Sequence, residues 1–208
     1  MALQLKNGTY VPGSTTILGL LDKPFLVPWA NKLGKQQIDV QEYVDQAAKQ
    51  GELIHLILDS HIMKEEIDLD KYSDEEIRIG EEAFNRYMEW ERNHTIEFPE
   101  VEKELVSETY KYGGKLDFYC LLDGKWTIID FKTSNKISID QKIQVSSYEN
   151  LVRENGLKVE QLLILNVGKT DGFKLQVEEI PFKDSTKYFK MFTKLIDVYY
   201  LKKELEWK

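Results

Sequence analysis

Residues Gly113–Lys132 read GGKLDFYCLLDGKWTIIDFK, and the fold turns on how this stretch is taken. Leu116–Leu122 and Trp126–Phe131 are rich in β-branched and aromatic residues, with Asp123-Gly124 between them. That dipeptide favours a two-residue turn with both φ angles positive, so the stretch predicts an antiparallel hairpin. Side chains alternate along a strand, so Asp130 and Lys132 share a face. Across the hairpin, Asp117 can approach Asp130. The run Trp126-Thr-Ile-Ile129 is too apolar for an exposed strand, so the charged residues emerge from a buried element. Buried carboxylates need a partner, and two that converge suit a hard divalent cation. Lys132 beside them can orient a water or stabilise charge on a phosphate. Gly113 and Gly114 leave room for a backbone or ligand to come close. The plain alternative is a surface hairpin with a solvated Asp–Lys ion pair.

Upstream of the hairpin the pattern is helical. Gly8–Val11 is expected as a short strand, and Ser14 as the cap of a short helix, TTILGLL. A second short helix carries Trp29, Ala30 and Leu33. Asp39 reads as the N-cap of a long helix to about Met63, with Tyr43, Val44, Ala47, Ala48, Ile54 and Leu58 at helical spacing. Ser73-Asp-Glu-Glu76 is a capping box that opens a helix to about Asn93. Phe98–Tyr110 alternates in part and is expected as a strand. Downstream, Ser138-Ile-Asp-Gln141 is a second capping box, for a helix to about Glu154. Leu162–Val167 is a nearly continuous apolar run, as in a buried strand. Phe173–Ile180 predicts another strand, and Asp184 starts a C-terminal helix through Tyr200.

This order implies an α/β fold with a central mixed β-sheet flanked by helices and a helical N-terminal region. With no repeat, low-complexity tract or linker, one domain over residues 1–208 is expected. Residues 1–97 are its mainly helical part, 98–183 the sheet core and 184–208 the C-terminal helix. The chain has 208 residues, 42% hydrophobic and 31% charged, as in a globular protein. The N-terminus lacks a secretory pattern, and no apolar run is long enough for a membrane helix. The lone Cys120 excludes an internal disulfide and a four-cysteine metal or cluster site. A reducing, cytoplasmic setting is expected. The net charge of −8 argues against indiscriminate, charge-driven nucleic-acid binding, but not against a local basic channel. Lys111, Lys115, Lys136 and Lys142 cluster around the hairpin and its flanks, as such a channel or as a solvated face.

Gly114-x-x-Asp117, Ile129-Asp130-Phe131-Lys132-Thr133 and Gln144-x-x-x-Tyr148 follow one another here, with Asp117 and Asp130 13 positions apart. In that order and spacing the chain resembles the RecB-like exonuclease branch of the PD-(D/E)XK nuclease superfamily. Gly51-Glu-Leu-Ile-His55 is similar to that branch's helical Gly-x-x-x-His motif. Ser14-Thr-Thr-Ile-Leu18 and Leu26-Val-Pro-Trp29-Ala30 resemble segments of phage-encoded and mitochondrial genome-maintenance members. The likeness spans about residues 10–150.

The resemblance implies a restriction-endonuclease-like core and a Mg²⁺- or Mn²⁺-dependent DNA exonuclease. Asp117 and Asp130 would be metal ligands, Lys132 the catalytic lysine, and the backbone carbonyl of Phe131 a further ligand. His55 would be a metal ligand or site residue; the alternative is a histidine packed on an apolar helix. Gln144 and Tyr148, four apart on one helix face, would lie beside the lysine and the nucleic-acid strand. Gln144 can donate to a phosphate, and Tyr148 can stack or donate. Lys115, Lys136 and Lys142 would contact DNA. Glu104 or Glu108 would supply an upstream acid. Iron–sulfur members carry four cysteines, so that subgroup is excluded. The implied partner is DNA with a free end, with room for a recombination or replication protein, in a bacterial or phage-infected cell. Two other readings stand beside this one. One is a structure-selective or nicking endonuclease. The other is a catalytically silent nuclease-fold subunit that binds DNA.

Overall fold

The Asp123-Gly124 turn forms as its sequence predicts. Both residues have positive φ, 49° and 79°, and Leu122 pairs directly with Lys125 across it. The computed structural model describes residues 3–206. The strands joined by the turn are β2 (Tyr112–Leu122) and β3 (Lys125–Lys132). They form the middle of a five-stranded sheet with β1 (Ile96–Ser107), β4 (Gln161–Asn166) and β5 (Gln176–Glu179), in the order β1-β2-β3-β4-β5. Every neighbouring pair is antiparallel except β3 and β4. A parallel pair needs a crossover, and the helix α5 (Ile139–Glu154) supplies it. The sheet is therefore mixed.

Helices cover both faces. On one side α3 (Val40–Met63) and α4 (Asp74–Glu91) bury Ile54, Leu58, Ala83 and Tyr87 against Phe118, Ile129 and Phe131. On the other, α1 (Ser14–Leu18), α5 and α6 (Phe182–Glu206) bury Ile17, Ile143, Leu151 and Phe192 against Tyr112, Leu116 and Ile128. The remaining helix, α2 (Leu26–Lys35), buries only Leu33. Among the described residues, no helix is long and apolar enough to cross a membrane.

Most of the expected caps form. The Asp39 side chain accepts from Glu42 N–H at 3.0 Å. Ser73 and Glu76 make the reciprocal box. Gln141 Oε1 accepts from Ser138 N–H at 2.9 Å. Ser14 departs from expectation: Gly13 is the N-cap of α1. The Ser14 hydroxyl instead donates to the Gly113 carbonyl at 3.1 Å and accepts from Ser147 Oγ. It thus ties the N-terminal region to β2 and α5. The expected strand at Gly8–Val11 reduces to a single antiparallel bridge, Gln4 with Tyr10, flanked by backbone hydrogen bonds from Leu5 to Thr9 and from Val11 to Leu3. β1 runs two residues earlier than expected and stops at Ser107. Its register slips between Glu97 and Glu100, with positive φ at Phe98 and Glu102. β5 is the short core of the expected Phe173–Ile180, and α6 begins at Phe182 rather than Asp184 and runs on past Tyr200.

Gly114 earns its place by contact rather than by φ. A Cβ there would lie 2.7 Å from Tyr148 Cε1 and 2.9 Å from Leu151 Cδ1. We expect Gly114→Ala to cost about 2 kcal/mol, as overpacking does in a filled core. A lowered urea midpoint with an unchanged m-value would show it.

Candidate active site

β2 and β3 pair from the turn as far as Phe118 opposite Ile129, and no further. Beyond that point they part. β2 continues against β1, and β3 continues against β4 to Lys132 opposite Asn166. Asp117 and Asp130 sit at the parting. Asp117 Oδ2 accepts the Phe131 N–H at 2.9 Å, so a side chain replaces the lost ladder partner. Asp130 is fully buried, with Lys132 Nζ 2.6 Å from its Oδ2. Beyond that close ion pair, the two Asp130 oxygens have no other hydrogen-bond partner. An ionised carboxylate so placed is costly unless a cation completes it.

The charges answer one another. Burial pushes the carboxyls of Asp117 and Asp130 up, and the Lys132 charge pulls both back. Burial also draws the Lys132 ammonium down. The two aspartates outweigh it and leave Lys132 above its ordinary value, firmly protonated.

α3 closes over this end of the sheet. Gly51 permits it: a Cβ there would stand 3.3 Å from Thr133 Oγ1, just past β3. One turn on, His55 Nδ1 lies 3.9 Å from Asp117 Oδ2, and the ring meets Phe131 edge-on. Burial and then the Lys132 charge push the His55 pKa down to about 4. The ring is neutral at pH 7 and offers one unprotonated nitrogen. Between α3 and the β1–β2 edge runs an open groove of about 550 Å³, lined by Gly51, His55, Asp59, Glu102, Lys115 and Thr133 among others.

These side chains fit a hard divalent cation by donor type, carboxylate oxygens with one imidazole. The fully buried Asp130, with its Oδ1 unpartnered, fits it as well. Among the described residues no three His, Cys, Asp or Glu side chains converge as a ready-made ligand cage. The Lys132 ammonium and the Phe131 N–H hold the aspartates in place of an ion. Donors bound at about 2.2 Å to a common ion stand about 3–4 Å apart. His55 and Asp117 already meet that spacing.

The other expected residues are distributed unevenly. Gln144 Nε2 donates to Tyr148 Oη at 2.7 Å, so the pair acts as one unit on α5. Tyr148 is only 3% exposed. Its ring packs over Gly114 and is closed to base stacking, leaving the hydroxyl as what it can offer. Burial, then the charges of Asp130 and Asp117, hold that hydroxyl protonated. The Phe131 ring is buried between His55, Tyr87 and Phe118. Lys115 lines the groove and pairs with Glu102. Lys136 is exposed in the loop after β3, whereas Lys142 is engaged by Glu178 on β5. Glu104 is exposed on β1 opposite Lys115. Glu108 falls beyond the end of β1, where it accepts from Lys6 N–H at 2.7 Å, so the two do not share a strand face. Three groove carboxylates escaped the sequence reading, Asp59, Glu102 and Glu52. The spacing His55-x-x-x-Asp59, one helical turn, was the signal for the first.

No protein-family model matches the chain, and no curated protein matches it significantly. Among solved structures, a Eubacterium rectale protein named "Putative exonuclease" matches with a TM-score of 0.50 and 13% identity. The match covers 69% of this chain and 64% of that one, so this chain spans less than two thirds of its length. The structure of SSO0001 matches with a TM-score of 0.37 and 14% identity, over 88% of this chain and 84% of that one. At such identity the first likeness speaks for fold alone. The chain has an α/β fold, its mixed sheet and flanking helices consistent with a restriction-endonuclease-like core.

Proposed function

We propose that the protein is a divalent-metal-dependent nuclease of the RecB-like PD-(D/E)XK type, hydrolysing DNA phosphodiester bonds from a free end. The observation that carries this reading is Asp130. It is a fully buried carboxylate whose close partner is the Lys132 ammonium, 2.6 Å away, set where two strands part. A fold at the edge of stability does not keep such a group for packing. Asp117, Asp130 and the neutral His55 would hold Mg²⁺ or Mn²⁺, with the Phe131 carbonyl as a further donor. When bound, the ion polarises the phosphate and acidifies the attacking water. Lys132, held protonated by the aspartates, orients that water and meets charge developing on the phosphate. Gln144, braced by Tyr148, retains an amide hydrogen for a phosphate oxygen. The exposed Lys136, and Lys115 where it is released from Glu102, would meet DNA phosphates.

We expect the purified chain to degrade linear DNA in Mg²⁺ or Mn²⁺, to stop in excess EDTA, and to spare covalently closed circles. Cutting of closed circles would turn the reading to an endonuclease. Tight binding of DNA without turnover in any divalent metal would turn it to a silent subunit.

A further inference from the structure

β4 is apolar and buried from Leu162 to Leu165, and it ends on Asn166, which is buried as fully. An amide in such a place is costly unless its hydrogen bonds are made. Here both of its polar atoms are engaged. Nδ2 donates to the Ser134 carbonyl at 2.9 Å and to Gln176 Oε1 at 3.1 Å, and Oδ1 accepts from Gly168 N–H at 3.3 Å. Asn166 pairs in parallel register with Lys132, so its side chain meets the chain two residues after Lys132, where it has left β3. Ser134 carries the contact onward. Its hydroxyl donates to the Lys136 carbonyl at 2.9 Å and accepts from Gln141 Nε2 at 3.1 Å. Gln141 is in turn fixed at the start of α5 by Ser138 N–H. The turn between β3 and α5 is therefore tied to β4 through Asn166 and to α5 through Gln141. Asn135 and Lys136 are left exposed at its tip.

We infer that Asn166 is a positioning residue for DNA: it fixes the turn after β3 so that Lys136 is presented to a phosphate, four residues beyond Lys132. The inference rests on the nuclease reading and names how the strand is held beside that site. A cation on a turn fixed beforehand loses less freedom on binding than one on a mobile loop. An aliphatic residue would pack at the end of β4 as its neighbours do, but it cannot donate to the Ser134 carbonyl.

Steady-state hydrolysis of linear DNA in Mg²⁺, with KM and kcat separated and salt varied, tests this. Lys136→Gln is expected to raise KM about three- to tenfold, to leave kcat within about twofold, and to flatten the salt dependence by about one phosphate contact. Asn166→Ala is expected to do the same with Lys136 still in place. The double variant is expected to be no worse than Lys136→Gln alone, because both changes remove one contact. Ser134→Ala breaks the next link and is expected to raise KM in the same way, which reports even if the Asn166 variant fails to fold. An Asn166→Ala protein that melts lower but keeps the wild-type KM and salt slope has lost only structure, and overturns the inference. KM losses that multiply in the double variant overturn it too, as does a wild-type KM in Lys136→Gln or in Ser134→Ala. Each of these leaves the nuclease reading standing, since wild type still cuts. A wild type that hydrolyses no DNA overturns both.

Discussion

Asp130→Asn and Lys132→Met are each expected to slow single-turnover hydrolysis of linear DNA by about 10³-fold or more. The two act through one contact. Asn at position 130 keeps the shape but removes the charge that would bind the proposed ion and that holds Lys132 protonated. Met at position 132 keeps the buried stem but removes the charge that draws Asp117 and Asp130 back from protonation. Either change leaves the other residue buried without its counter-charge, so each single variant disables most of the unit. The double variant is accordingly expected to be little worse than the poorer single one, as for groups that work together. Independent roles would instead give rate losses that multiply. Near-wild-type rates in either single variant, in a protein whose melting transition is intact, would sink the assignment.

The parts of the fold that were legible were those governed by short-range physics. The hairpin turn needs two positive φ angles, and Asp123-Gly124 is the pair that supplies them cheaply. Asp39 and the Ser73–Glu76 box announce helix starts through hydrogen bonds spanning three residues. The β4 run, buried on both faces, betrays itself by lacking alternation. What stayed hidden depends on contacts distant in sequence. Ser14 looks like a cap, yet it is spent on Gly113 and Ser147. The β1 bulge is a negotiation with β2 and leaves no dipeptide signature at Phe98 or Glu102. Asp117, Asp130 and Lys132 could be named because one hairpin carries all three. Asp59 could not, because what makes it unusual is Asp117, on an element that meets α3 only after folding. Its spacing from His55, one helical turn, put it on the same helix face but not beside Asp117.

Asp59→Asn is expected to stabilise the cation-free protein, by about 2 kcal/mol at pH 8. Burial, then the charge of Asp117, pushes the Asp59 carboxyl from 3.8 up to about 7, with Lys115 pulling the other way. The folded value exceeds the unfolded one, so the folded state holds a proton that the unfolded chain gives up. Stability from that proton is fully present below the unfolded pKa and is lost as pH rises through about 7. The full shift would correspond to about 4 kcal/mol. Partial exposure of the side chain and relaxation around it reduce that by about half. Asn cannot ionise and escapes the loss. Its melting temperature in EDTA should match wild type near pH 4 and exceed it by about 4–8 °C at pH 8. A structural anchor would give the opposite: an Asn variant that melts lower than wild type in EDTA at every pH.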